Sequence, residues 1–169
     1  YAWTETGWTQ QGPGIYCEAA NDQSAYSVAL SADGRTAMIG ARYNDGNGTK
    51  SGQARIFTRD GTGWVQQGAD IDGEGGYDLS GYSVALSADG GTAIIGAPYN
   101  LATVHRSRRP RICTWTASGW PQQVQDIAGE AVDYLSGSSA ALCDDAGAAR
   151  IGARYNLGNR PISRSPRIR

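Results

Sequence analysis

One period governs this chain. The stretch from Gly63 to Asn100 recurs 56 residues earlier, from Gly7 to Asn44, and 56 residues later, from Gly119 to Asn156, with no gap in either alignment. Self-similarity at a fixed period of this length means a stack of supersecondary units, each too small to bury its apolar face alone. The fold question therefore reduces to the shape of one unit and the way neighbouring units cover each other. We divide the chain, 1–169, into a single repeat domain with units at about 7–62, 63–118 and 119–169.

The positions kept in all three units outline that shape. A Trp-x-Gln-Gln run stands at Trp8, Trp64 and Trp120. An isoleucine follows at Ile15, Ile71 and Ile127, and a glutamate at Glu18, Glu74 and Glu130. Then comes Ser83-Val84-Ala85-Leu86, matched by Ser27 to Leu30 and by Ser139 to Leu142, and a turn aspartate at Asp33, Asp89 and Asp145. Ile-Gly-Ala recurs at Ile39, Ile95 and Ile151, with Tyr-Asn two residues beyond it. In the second unit Tyr82, Val84 and Leu86 alternate with small residues, the period of a half-buried strand over 82–87. Ala88-Asp89-Gly90-Gly91 reads as a hairpin turn, since Asp and Gly tolerate positive φ. Strands are expected at 92–97, near 111–115 (with its counterpart about 54–58 in the first unit) and at 64–67. No segment has helical periodicity of useful length. Four antiparallel strands per unit make one blade, so the fold class is all-β, with β-propeller-like blades in three repeats of 56 residues.

The run Tyr82-Ser83-Val84-Ala85-Leu86, then Asp89-Gly90, then Ile95-Gly96-Ala97-Pro98-Tyr99, resembles the FG-GAP repeat of integrin-α-type β-propellers. The Trp-x-Gln and Asp-Ile-x-Gly-Glu elements resemble a bacterial and algal branch of such repeats. The resemblance covers all three units and implies a non-enzymatic module for protein–protein interaction or assembly, with an extracytoplasmic or secreted setting. Relatives of this type often bind calcium through Asp-x-Asp/Asn-x-Asp-Gly in the first hairpin turn. Here the turn is only Ser31-Ala32-Asp33-Gly34 or Ser87-Ala88-Asp89-Gly90, too few oxygens for the six to eight that calcium takes. We therefore expect no metal and no cofactor.

Other chemistry finds little support. The single histidine, His105, lies in a variable loop with no fixed neighbour, which is poor support for a Ser-His-Asp site. No His/Cys spacing suits zinc. The recurrent glutamates would sit on a ring, too far apart to flank one glycosidic bond, and are read as local pairing or capping groups. The loop Asp45-x-Asn47-x-Thr49-x-Ser51 alternates oxygen side chains but lacks a bidentate glutamate, so it is read as a hydrophilic loop. The residues best placed to meet a ligand are the repeated pairs Tyr43-Asn44, Tyr99-Asn100 and Tyr155-Asn156. They form a ledge for sugar or peptide if exposed, and inter-blade packing plus turn formation if not; the second reading is favoured. A lectin-like carbohydrate binder with equivalent sites on successive blades is the main alternative, and a hydrolase the remote one.

Net charge is −1, which gives no global field for nucleic acid. No apolar run reaches the length of a transmembrane helix. The arginines at 106, 108, 109, 160, 164 and 167 fall in long loops without interleaved aromatics and are read as a solvated rim rather than a site for single strands or an acidic partner. Cys17, Cys113 and Cys143 occupy unrelated repeat positions, so no repeated disulfide is expected, and each is read as a small buried hydrophobe. Val84, Leu86, Ile94 and Ile95, with Val28, Leu30, Met38, Ile39, Leu142 and Ile151, are the expected core. Arg150, at the place of Met38 and Ile94, marks the third unit as the weakest. Three blades are fewer than the usual four to eight, and Tyr1 and Arg169 fall at adjoining points of one strand type. We therefore expect a protein partner or a homo-oligomer: two chains closing a six-bladed ring, further blades outside the chain, or another subunit, with a glycan as the remaining possibility.

Overall fold

The computed structural model describes residues 1–99, 110–123, 135–154 and 166–168. Within these residues the protein is all-β and its sheets are antiparallel. The first blade is the most complete. Its inner strand β3 (Ser24–Leu30) pairs with β4 (Thr36–Ala41), β4 with β5 (Gln53–Arg59), and β5 with both β6 (Trp64–Gln66) and the short β7 (Ile71–Asp72). The second blade runs β8 (Ser83–Leu86), β9 (Thr92–Gly96), β10 (Arg111–Thr114), with bridges at Cys113–Gln122 and Thr116–Gly119 where a fourth strand is expected. The third runs β11 (Leu135–Leu142), β12 (Ala149–Arg154), β13 (Pro166–Ile168). A separate hairpin, β1 (Ala2–Thr4) with β2 (Gly7–Thr9), precedes them. By the 56-residue register this hairpin matches the outer pair β5–β6.

The strand ends follow the expected turn chemistry. Ser87 N–H donates to Thr92 O, closing the hairpin, and Gly90 adopts φ of 71°. Ser87 Oγ donates to Asp89 Oδ1 and accepts from Thr92 N–H. Ser31 and Asp33 repeat this in the first blade, and in the third Cys143 takes the serine's part: its Sγ lies 2.8 Å from Asp145 Oδ1 and accepts from Ala148 N–H at 2.9 Å. The reading of the cysteines as buried hydrophobes holds for Cys113 alone. Cys17 is exposed and Cys143 is half-buried as a stand-in for serine; all three are free thiols.

Residues paired across antiparallel strands share a face, so each blade has two faces of different composition. In the first blade Ser27, Ala29, Met38, Gly40, Ala54 and Ile56 point toward the second blade, which answers with Val84, Leu86, Ala93, Ile95 and Cys113. These residues form the main core, with Ile71 beside them and Trp120 packed on its edge. The next seam repeats the pattern, with Ser83, Ala85, Ile94 and Gly96 turned toward β11.

Glycines let the blades approach this closely. A Cβ on Gly40 would lie 2.1 Å from Gly81 O, and one on Gly81 2.2 Å from Gln53 O. Two hydrogen bonds cross each seam in one sense. Ser27 Oγ donates to Gly81 O and Ser83 Oγ to Gly137 O. Ala32 N–H donates to Ala88 O, and Ala88 N–H to Asp144 O. At its inner strand and hairpin turn each blade thus presents donors toward the next blade and acceptors toward the previous one, while in the outer loops Tyr77, Leu79 and Ser80 N–H donate back to Thr49, Lys50 and Ser51 O.

The expected core needs one correction. Met38, Val84, Leu86, Ile94 and Ile95 are buried, while Ile39, Leu142 and Ile151 are half-buried. Val28 and Leu30, however, are 64% and 62% exposed. They repeat Val84 and Leu86, but the face they occupy is the one the first blade turns away from the second. Trp8, which repeats the half-buried Trp64 and Trp120, is 69% exposed for a related reason: among the described residues β1–β2 pair only with each other.

Candidate functional site

The exposed face of the first blade is the most distinctive surface of the molecule. Val28 and Leu30 project from β3 because strand alternation places every second residue there. The same face continues onto half-buried Ile39 and buried Ala37. Between this face and the segment that carries Gln10, Gln11, Pro13 and Ile15 lies a cleft of about 540 Å³, whose wall also includes Tyr1 and Trp64. The corresponding place in the second blade holds Val84 and Leu86 against Met38 and Ile56 and is filled.

At the outer part of this face the repeat closes its own polar groups. Arg55 donates through Nη2 to Tyr16 O at 2.7 Å and through Nη1 to Glu18 Oε1 at 3.3 Å, while Gln53 Nε2 donates to Glu18 Oε2. Arg111 does the equivalent in the second blade, donating to Asp72 O and Ser80 Oγ. The glutamate was legible from the repeat as a locally paired group. Its arginine was missed, although Arg55, Arg111 and Arg167 keep the same 56-residue period.

The Tyr-Asn pairs divide by residue. Asn44 is buried; its Nδ2 donates to Asp22 Oδ2, and its Oδ1 accepts from Gly46 N–H. Tyr43 is half-buried at the blade rim. There the Arg42 guanidinium lies 3.6 Å from the Tyr26 ring centre, 4.7 Å from Tyr43 and 5.4 Å from Tyr82, with Lys50 Nζ 4.8 Å from Tyr43. Tyr26 and Tyr82 contact each other across the seam at 5.1 Å. Tyr99 is 40% exposed on the second blade. Asn100, Tyr155 and Asn156 lie outside the described residues, as do His105, Glu130 and the loop arginines at 106, 108, 109, 160 and 164.

The carboxylates are engaged locally. Asp45 Oδ1 accepts from Lys50 N–H and Ser51 Oγ from Asn47 N–H within this loop, while Asn47 Nδ2 donates to Gly73 O and ties it to the segment after β7. Hydrogen bonds from Ser31, Ser87 and Cys143, then from the backbone, hold Asp33, Asp89 and Asp145 below the usual carboxylate range. Asp72 is raised, by burial first and then by Asp70 and Glu18. Among the described residues no group of three His, Cys, Asp or Glu side chains is arranged to hold a metal ion. No helix there is long and apolar enough to cross a membrane.

Antiparallel blades stacked through a glycine-lined seam, repeated at a fixed period, define a β-propeller-type repeat protein. Residues 18–57, from the Glu18 link into β5, match the family model described as an FG-GAP repeat. No curated protein matches the chain. Among solved structures, one described as Kuenenia stuttgartiensis hydrazine synthase is similar at 11% identity and a TM-score of 0.44, over 93% of this chain and 38% of its own. The chain thus spans well under half the length of that structure.

Proposed function

We propose that this protein is a non-enzymatic β-propeller module that works by binding protein through the open face of its first blade. One observation carries the reading: Val28 and Leu30 are 64% and 62% exposed where their repeats Val84 and Leu86 are 8% and 9% exposed. Contiguous apolar surface of this kind marks interaction sites, and here the repeat itself supplies the buried reference state. The partner is a second copy, a further blade or another subunit. The non-enzymatic part is supported by the repeated carboxylates, which are engaged in turns and in the Arg55 link rather than converging on a cleft.

Hydroxyl-radical footprinting tests it. In the protein's assembled state the side chains of Val28 and Leu30 become protected, relative to a sample diluted until assembly is lost. Equal labelling of these two residues at every concentration and with every partner tried would contradict it.

A further inference from the structure

The two outer faces of the three-blade stack differ in a complementary way. At the inner strand and its hairpin turn, acceptors lie on the face of each blade that meets the preceding one: Gly81 O and Ala88 O take bonds from the first blade, Gly137 O and Asp144 O from the second. At the open face of the first blade the matching positions are Ala25 and Ala32. Ala25 has φ of 63°, the same left-handed bulge as Gly81 at 80° and Gly137 at 85°, so its carbonyl is presented alike. Donors lie on the opposite face of each blade. On the third blade the matching positions are Ser139 and Asp144, both exposed.

Apolar and charged groups follow the same logic. The third blade's outer face carries Ser139, Ala141 and Gly152, which repeat Ser27, Ala29 and Gly40, and Arg150 in place of Met38. At the first seam Met38 belongs to the cluster against which Trp120 packs. The residue one period earlier than Trp120 is Trp64, in the wall of the open cleft together with Tyr1. A guanidinium arriving at the position of Met38 therefore comes beside the Trp64 indole, and aromatic rings attract such cations.

We propose that the open face of the first blade is the seat for the β11–β12 hairpin of a second copy of this chain. This rests on the binding reading above and names its partner. Ser139 Oγ donates to Ala25 O of the partner copy, Asp144 N–H donates to Ala32 O, and Arg150 lies over Trp64 while Val28 and Leu30 are covered. The contact is head-to-tail, unlike the self-complementary patch of an ordinary two-fold dimer. The β1–β2 hairpin, the counterpart of the outer strands β5–β6, then lies alongside the third blade of the other copy, and two such contacts close a ring of six blades.

The test uses two variants of the full chain, Leu30→Asp on the receiving face and Arg150→Glu on the inserted one. Both residues are exposed, so neither change disturbs a core within one chain. Far-UV circular dichroism confirms that each variant is folded, and Val28→Lys replaces Leu30→Asp if that chain fails to fold. In sedimentation or light scattering the wild type is a dimer. Leu30→Asp weakens association by roughly a hundredfold, and Arg150→Glu by roughly tenfold or more. Mixing the two variants restores a dimer, because one of its two contacts pairs an intact Arg150 with an intact Leu30. A dimer indifferent to Arg150→Glu, or variants that mixing does not rescue, would overturn the head-to-tail seat while leaving the binding reading in place. A wild type that stays monomeric would overturn the seat for a second copy, whereas the binding reading falls only if footprinting leaves Val28 and Leu30 unprotected with every partner.

Discussion

At the scale of single residues, the repeat provides internal controls. Leu86 and Leu30 occupy one repeat position, but Leu86 is sealed between two blades and Leu30 faces solvent. Leu86→Ala costs about 2–5 kcal/mol, as large-to-small core changes do. Leu30→Ala changes the stability of the dissociated chain by less than about 0.5 kcal/mol. Urea unfolding at low protein concentration measures both, and equal losses would refute the assignment of faces. Ala25 holds a left-handed φ that costs a residue with a Cβ about 1–2 kcal/mol. Glycine removes that strain but adds unfolded-state entropy, so Ala25→Gly stabilises by roughly 0.5–1 kcal/mol, and a lowered melting temperature would count against the bulge. The aspartates give opposite signs with pH. Asp33, Asp89 and Asp145 have folded pKa values below the ordinary 3.8. Their contribution is therefore present above pH 3.8 and lost as pH falls through the lowered value. Asp72 is raised, so its ionised form opposes folding at neutral pH and that opposition fades as acid protonates it. Asp72→Asn accordingly raises the melting temperature at pH 7, and the gain shrinks toward pH 3.8; a gain that grew on acidification would reverse this sign.

At the scale of strands and turns, much was readable in advance. Period-two alternation put β8 at Tyr82–Ser87, where Ser83–Leu86 is found, and the Asp-Gly turns lie where turn chemistry placed them. Alternation says which residues share a face, but not whether a neighbour covers that face, so Val28 and Leu30 were misassigned to the core. The bulge at Ala25 was hidden because alanine gives no left-handed signal, though its register with Gly81 and Gly137 holds the clue. Asn44 was legible as a turn former, while the Arg42–Tyr26–Tyr82 contact depends on two blades meeting and has no local pattern. Stability should also vary along the stack. Arg150 is exposed where Met38 and Ile94 are fully buried, so amides of β11 and β12 exchange faster than those of β4 and β9 in native-state hydrogen exchange. Slowest exchange in the third blade would contradict this. In each first hairpin turn the recurrent aspartate is already bonded to serine or cysteine. Thermal melts in calcium and in chelator therefore coincide, and a shift of several degrees would show a calcium site.

At the scale of the whole molecule, the seams have a direction. At the inner strands and their hairpin turns each passes one hydroxyl donor and one backbone N–H forward to the next blade, so this part of the stack ends in an acceptor face at one side and a donor face at the other; the loop bonds from Tyr77, Leu79 and Ser80 N–H to Thr49, Lys50 and Ser51 O run the other way. The acceptor face is apolar and holds a cleft of about 540 Å³; the donor face carries Arg150. Covering the first with the second satisfies both, whereas joining two acceptor faces would bury Ala25 and Ala32 carbonyls without donors. The seam between copies is looser at its bulge than the internal ones, because Ala25 has the Cβ that Gly81 lacks next to a neighbouring backbone. Assembly is thus expected to depend on concentration, and to be tightened by Ala25→Gly. The measurement that bears most directly on all of this is the molar mass of the purified chain by light scattering across a dilution series. The account predicts a species of twice 17.8 kDa that dissociates on dilution. A stable, soluble monomer at every concentration, with Val28 and Leu30 left in water, would contradict it.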